Sequence, residues 1–222
     1  MPVNAALRVP YNIPGSNYWQ WVNIYTRLSQ ERILFLNQPL TTDVANSLIT
    51  AMLYLDSDDQ TKPIYLYINS VGDPVLAGIT NETVGMMSIT AGLAIYDSMQ
   101  HIKSEVVTIC LGQAVSMAAF ILSSGTKGKR VSLPHASIAL TQFRSRTRGQ
   151  ATDIEINAKE VLDKKAVVLD ILAQNTGQSV EKIAKDSERI FYMTPQEAQE
   201  YGLIDRVLQS TKELSNPVPA LT

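Results

Sequence analysis

Short apolar runs alternate along this chain with longer stretches in which apolar residues recur at helical spacing. Ile33–Leu36, Ile64–Ile68 and Val106–Leu111 read as strands, the second with tyrosines alternating with aliphatics. Thr41-Thr42-Asp43 offers caps to a helix carrying Val44, Leu48, Met52 and Leu53, and Asp56–Lys62 reads as a polar loop. Ala91–Ile102 is a second helix. Gly112 is expected to break the third strand, with Ala114–Leu122 following as an almost wholly apolar helix ended by Gly125. Val131–Leu133 and Ser137–Leu140 are short strands around Pro134.

Thr152-Asp153-Ile154-Glu155 has the form of a capping box opening the longest helix, which runs to about Asn175–Gly177. Ser179–Ser187 is a shorter helix and Ile190–Met193 a brief strand. Thr194-Pro195-Gln196-Glu197 is a second capping box, with proline at the first helical position and Gly202 as the stop. Leu203–Leu208 is a last strand. The alternation of strands and helices predicts an α/β domain of right-handed βαβ crossovers. The prolines before Gly15 suggest an irregular arm over 1–22, the domain proper spans 23–210, and 211–222 reads as a flexible tail.

Composition narrows the class without choosing a function. A net charge of −2 leaves no electrostatic footprint for nucleic acid or an anionic membrane. No apolar run approaches the ~18–20 residues that span a bilayer, and the first residues carry no export signal. Cys110 is the only cysteine. An internal disulfide is therefore impossible, and a reducing compartment is expected. Within its apolar run Cys110 reads as a core filler.

Gly112-Gln113-Ala114-Val115-Ser116-Met117 joins a buried strand to an apolar helix. That context puts Ser116 in the first helical turn, where free backbone N–H groups favour developing negative charge. Such donors are what an oxyanion hole requires. A serine there is also an ordinary helix cap, and the segment alone leaves both readings open.

The wider sequence decides between them. Tyr65–Ser70, Ala91–Asp97, Gly112–Met117, Gly149–Glu155 and Glu200–Asp205 occur in an order that closely resembles ClpP, the proteolytic subunit of the ATP-dependent Clp protease. The resemblance runs from about Asn23 to Leu208. It implies the ClpP/crotonase-like fold, built of repeated ββα and βαβ units with a helical handle over about 141–176, and it implies no cofactor or metal. In that family the position of Ser116 is the nucleophile. The histidine position is taken by Thr141 and the aspartate position by Ile190.

A serine hydroxyl is a poor nucleophile until a base removes its proton. Threonine supplies no base, and isoleucine cannot orient one. His135 lies six residues before Thr141, roughly 20 Å along an extended segment at ~3.3 Å per residue. His101 lies near a helix end and matches no catalytic position. The oxyanion positions of the family fall on Met117 and Asp73. Here the loop reads Ser70-Val71-Gly72-Asp73, followed by an insertion at about 74–87. Because Val75–Ile79 echoes Ile89–Leu93, the insertion could equally begin after Ile79. The degenerate positions and the insertion resemble ClpR, the non-catalytic ClpP paralogues of cyanobacteria and plastids, although many of those lack the serine that is kept here.

The resemblance further implies assembly with an active ClpP-type paralogue in mixed seven-membered rings, stacked as a tetradecamer through the handle, with a AAA+ Clp ATPase as partner. The ATPase-docking cleft falls on Leu53, Tyr65, Tyr67, His101, Ile109 and Leu208, for each apolar one of which core packing is an equal reading. Val161, Leu162, Val168 and Leu172 give the long helix more apolar surface than one core stripe needs, which fits either a well-buried helix or subunit contacts. Arg144, Arg146 and Arg148 would share one face of an extended segment, either as a solvated edge or toward the chamber or a neighbour. The implied setting is the cytoplasm of a bacterium, cyanobacterial by its motifs, or the plastid stroma. Two enzyme readings stand beside the non-catalytic one: a weak or partner-assisted serine endopeptidase using Ser116, and a crotonase-like acyl-CoA enzyme.

Overall fold

The apolar runs become the strands of one sheet, and the helically spaced stretches pack against it. The computed structural model describes residues 7–12, 18–78, 84–142 and 149–208. In chain order the elements begin with β1 (Arg8–Asn12), β2 (Trp19–Asn23), α1 (Ile24–Gln30), β3 (Ile33–Leu36), α2 (Thr42–Asp58) and β4 (Ile64–Ser70). Then come α3 (Val84–His101), β5 (Val106–Val115), α4 (Met117–Ser123), β6 (Arg130–Ser132) and β7 (Ser137–Leu140). The chain continues through α5 (Ala151–Thr176), α6 (Val180–Asp186), β8 (Phe191–Met193), α7 (Pro195–Tyr201) and β9 (Arg206–Val207).

Seven strands form the main sheet, in the order β3-β4-β5-β6-β9, with β7 and β8 off that path. All pairings are parallel except β7 with β8. The sheet forks at β5: Thr108–Cys110 pair with β6, whereas Gln113–Val115 pair with β7. Gly112 therefore does not end the strand as its local signal predicts. β5 runs on to Val115, because its far half finds a second partner in β7 and stays paired with β4 past an irregularity between Ile68 and Ser70.

One face of the sheet holds the main core. Leu36, Ile64, Leu66, Ile68, Ile95, Phe120 and Ile121 are among its fully buried members. On the opposite face Val107, Ile109, Val131 and Leu208 form a smaller cluster with half-buried Tyr65, Tyr67, Leu111 and Leu133 against it. The alternation of Tyr65 and Tyr67 with Leu66 and Ile68 thus divides two apolar layers.

Several local expectations change in the folded chain. Residues 8–12 and 19–23 form an antiparallel pair rather than an irregular arm, and Pro10 is accommodated because a two-stranded sheet has only edge strands. Helix α1 is an element the sequence reading did not anticipate. Helix α3 starts at Val84, seven residues before Ala91, so the end of the expected insertion is helical. Helix α5 starts at Ala151 with Gln150 as its N-cap, and Thr152 lies inside the helix, so the expected capping box is not formed. At Thr194 both bonds of the box are present, with Pro195 opening α7 and left-handed Gly202 closing it.

Arg130 ties the far end of the sheet to the helices. Its Nε donates to Asp205 Oδ2 at 3.0 Å and its Nη2 to Oδ1 at 2.6 Å. Its Nη1 reaches the carbonyls of Ser123 at 3.2 Å and Asn175 at 2.9 Å, at the ends of α4 and α5. Asp205 Oδ2 also accepts from the backbone N–H groups of Gly128 at 2.7 Å and Arg130 at 2.9 Å. Burial alone would raise the Asp205 carboxyl. The hydrogen bonds from Arg130 outweigh burial and hold it below its ordinary value of 3.8.

A depressed carboxylate contributes stability that is fully present above that ordinary value and is lost as the pH falls through the lowered one. Asp205→Asn removes the charge and leaves the guanidinium buried without a counter-ion, which is expected to cost about 3–5 kcal/mol. Urea denaturation from neutral to acid pH measures both effects. The variant should be less stable near pH 7 and lose less further stability on acidification than the parent.

Candidate active site

The fork of the sheet sets the position of Ser116. Its N–H donates to Ala139 O at 3.0 Å, which continues the β5–β7 pairing one residue past the strand. Its backbone then turns through φ +56° and ψ −124° into α4. Left-handed backbone at a non-glycine residue costs of order 1–3 kcal/mol and persists only where the surroundings impose it. The same turn is enforced from the other side by Gly72, at φ +68°. A Cβ on Gly72 would run into Val115 O and would lie 2.5 Å from Ala118 N and 2.9 Å from Met117 N. Only glycine lets the β4 loop approach the serine turn this closely.

Ser116 is the N-cap of α4 rather than a residue of its first turn, and its side chain makes no capping bond. The cap reading of this serine therefore fails. Its Oγ is buried and has no hydrogen-bond partner among the described residues. The hydroxyl faces a narrow cavity of about 10 Å³ for a water centre, at the lower limit for one water molecule. Thr141, Leu140, Lys165, Leu169 and Ser187 are among the residues lining it.

Thr141, expected at the family's histidine position, thus shares a cavity with Ser116. Ile190 does not line it and is 45% exposed, just before β8. His101 is exposed at the end of α3 and His135 is exposed between β6 and β7, and neither lines the cavity. Lys165 is a lining residue that sequence reasoning missed. Its signal was there in Lys165, Leu169 and Leu172, which lie on one helical stripe of α5 and all line the cavity.

Met117 is fully buried, and its N–H is one of the first in α4, which have no partner within the helix. The other position expected to serve an oxyanion, Asp73, has its N–H engaged within its own loop. The Asp73 N–H donates to Val71 O at 2.8 Å, and the Gly72 N–H to Ser70 Oγ at 2.9 Å. The buried Asp73 side chain folds onto its own loop, where Oδ1 accepts from Val75 N at 2.9 Å. Beyond Asp73 the N–H groups of Leu76, Ala77 and Gly78 each bond three residues back, so the start of the insertion is a tight turn.

Of the six expected cleft positions, Tyr65, Tyr67, Ile109 and Leu208 lie together in the second apolar cluster. Leu53, 45% exposed on α2, and His101 on α3 belong to helices that pack on the other face. Leu111 and Leu133 are further members that the sequence reading did not single out, and Phe35 stacks on Tyr67 at 5.6 Å. Arg144, Arg146 and Arg148 lie outside the described residues. No helix of the described residues is long and apolar enough to cross a membrane. Among them no group of histidine, cysteine and acidic side chains could hold a metal ion.

A parallel sheet carries a strand–serine–helix turn braced by a glycine loop, and the sequence profile of the Clp protease family matches residues 15–211. The chain belongs to the Clp protease family. It is 52% identical over 216 residues to the ATP-dependent Clp protease proteolytic subunit 2 of Prochlorococcus marinus subsp. pastoris, covering 97% of this chain and all of that protein. It is also 52% identical over 214 residues to the ATP-dependent Clp protease proteolytic subunit 3 of Synechococcus sp. (strain CC9605), covering 96% of this chain and all of that one.

Stability measurements can read the state of the Ser116 hydroxyl by sign. A capping hydroxyl lost to alanine would destabilise by about 1 kcal/mol. A buried hydroxyl without a partner carries a desolvation penalty of about 1–3 kcal/mol. Ser116→Ala is therefore expected to raise the unfolding free energy by about 1 kcal/mol in urea denaturation.

Proposed function

We propose that this chain is a ClpR-like, non-hydrolysing subunit of an ATP-dependent Clp protease, which completes rings alongside active ClpP-type subunits in the cyanobacterial cytoplasm. The observation that carries this reading is a Ser116 hydroxyl unpartnered among the described residues, with Thr141 in its cavity and no histidine among the described residues lining it. Without a base the proton stays on Oγ, and the hydroxyl does not attack a peptide carbonyl. The engaged Asp73 N–H supports the same reading, since an oxyanion donor is worth ~3–4 kcal/mol and this one is bonded to its own loop.

The assembly role draws on surfaces rather than on chemistry. Ile154, Ile156 and Leu162 are exposed in the first half of α5, so that half is not the well-buried helix that one reading of its sequence allowed. Apolar exposure on one helix fits contacts with other subunits. The chamber or interface role of Arg144, Arg146 and Arg148 remains part of this proposal. The cleft for an AAA+ ATPase would be formed between two copies: Tyr65, Tyr67, Ile109 and Leu208 of one subunit, with Leu53 and His101 of the next. The separation of these two sets onto opposite faces of one chain supports that division.

Lys165 favours one second reading, residual hydrolysis by Ser116 with an amine as base, because both line one cavity. A fluorophosphonate probe separates the two. Purified protein at neutral pH is expected to label no faster than free serine, and stoichiometric labelling would establish the peptidase reading. Coexpression with an active ClpP-type paralogue should give mixed rings by native mass spectrometry, whereas segregated homo-oligomers would defeat the assembly role.

Restoring the triad tests whether the oxyanion loop matters as well. Thr141→His with Ile190→Asp is expected to remain essentially inactive in peptide cleavage. Shortening residues 74–87 in the same variant should recover more activity than the double change. Cleavage by the double variant near the rate of an active paralogue would show that only the triad was missing.

A further inference from the structure

Two strand edges of this chain are open. β3 ends the strand path of the main sheet, and among the described residues no strand lies beyond it. Arg32 O accepts from Tyr65 N at 2.9 Å, so in this parallel register Leu34 and Leu36 also direct their backbone groups to β4. The N–H and C=O groups of Ile33 and Phe35 therefore point away from the sheet. In the β1–β2 hairpin Ile24 N donates to Leu7 O at 2.9 Å, which sets the alternation of the antiparallel ladder. Gln20 and Val22 face β1, whereas Trp19 and Trp21 direct their backbone groups outward. On the outer edge of β1 the ring of Pro10 replaces an N–H, so only β2 offers an unbroken edge.

A groove of about 620 Å³ runs along the β3 edge, with α1 on one side and α2 on the other. Ile33, Leu34, Val44 and Leu48 give it an apolar lining, and Asn37 and Ser47 add an amide and a hydroxyl. None of its twelve lining residues is charged, and neither is any residue of β2, which reads Trp-Gln-Trp-Val-Asn. Trp19 and Trp21 are 69% and 67% exposed. An indole that becomes buried needs an acceptor for its N–H. Asn37 spends its Nδ2 on the Tyr25 hydroxyl at 3.3 Å, which leaves its Oδ1 to accept.

We propose that β2 of one copy of this chain adds to the open edge of β3 in a second copy, its two indoles filling the groove between α1 and α2. Outward backbone groups recur every second residue on both strands, so Trp19 and Trp21 answer Ile33 and Phe35. Arg8 lies on β1, the far strand of the hairpin, and stays in solvent. Strand and groove are different surfaces, so the contact is heterologous: each copy offers its hairpin to one neighbour and its groove to another. Two indoles bury about 300–500 Å², below the ~800 Å² per partner of a standard complex, so the contact is weak and reversible. It uses neither the Ser116 cavity nor the tyrosine-lined face, and stands independently of the role proposed above.

The test uses the full chain, whose two tryptophans both lie in β2, so tryptophan emission reports this strand alone. From micromolar to millimolar concentration the emission maximum should move to shorter wavelength and acrylamide quenching should fall, in step with the mass from sedimentation. Ser47→Arg places charge and bulk in the groove, and Trp21→Ala removes one indole. Each should weaken self-association at least tenfold. Mixing the two variants should restore association and the emission shift of the Ser47→Arg protein, because one keeps an intact strand and the other an intact groove. That rescue also shows that both variants are folded. Emission independent of concentration in the parent would overturn the proposal, as would association that leaves the indoles open to quencher. Ser47→Arg associating like the parent, or a mixture without rescue, would overturn it too.

Discussion

A single strand serving two partners governs this structure. β5 pairs with β4 on one side, and on the other with β6 over Thr108–Cys110 and then with β7 over Gln113–Val115. The lower branch is held by the Arg130 guanidinium, which reaches Asp205 and the carbonyl ends of α4 and α5. The upper branch ends in the bond from the Ser116 N–H to Ala139 O. Were either branch to slip, the serine turn and the segment after β7 would no longer face one cavity.

The turn itself shows how firmly the fold holds the serine position. Ser116 keeps a left-handed backbone, and Gly72 keeps a conformation and a closeness that no larger residue permits. Both cost conformational free energy. Their persistence reflects packing: Met117 is buried beneath α3, and the Gly72 carbonyl accepts from Leu40 N at 2.6 Å. The elbow is therefore bound into the core whether or not its hydroxyl can react.

Burial divides the remaining apolar surface into three parts with different exposure. The tyrosine-lined face of the sheet is half-covered, the first half of α5 is open, and the hairpin tryptophans are more open still. A chain alone in solution gains nothing from these surfaces, and each stabilises the protein only when covered.

Strand and helix identities were legible in sequence wherever burial periodicity was strong, as in β3, β4, α2 and α7. The elements missed were β1, β2 and α1, which add nothing to the buried core beyond an edge contact of Tyr25 on Phe35, so no core stripe announces them. Two segments of the same capping form, at Thr152 and Thr194, had opposite outcomes, and Gly112 failed to break its strand. In each case a local preference worth about 1 kcal/mol yielded to pairing and packing set by distant residues. The sequence alone determined the Clp protease resemblance and the identities at Ser116, Thr141 and Ile190, because residue type fixes which groups can carry a proton. Tertiary structure alone decided that the Ser116 hydroxyl is neither a cap nor bonded to any described group, because hydrogen bonding depends on the atoms that folding brings within reach.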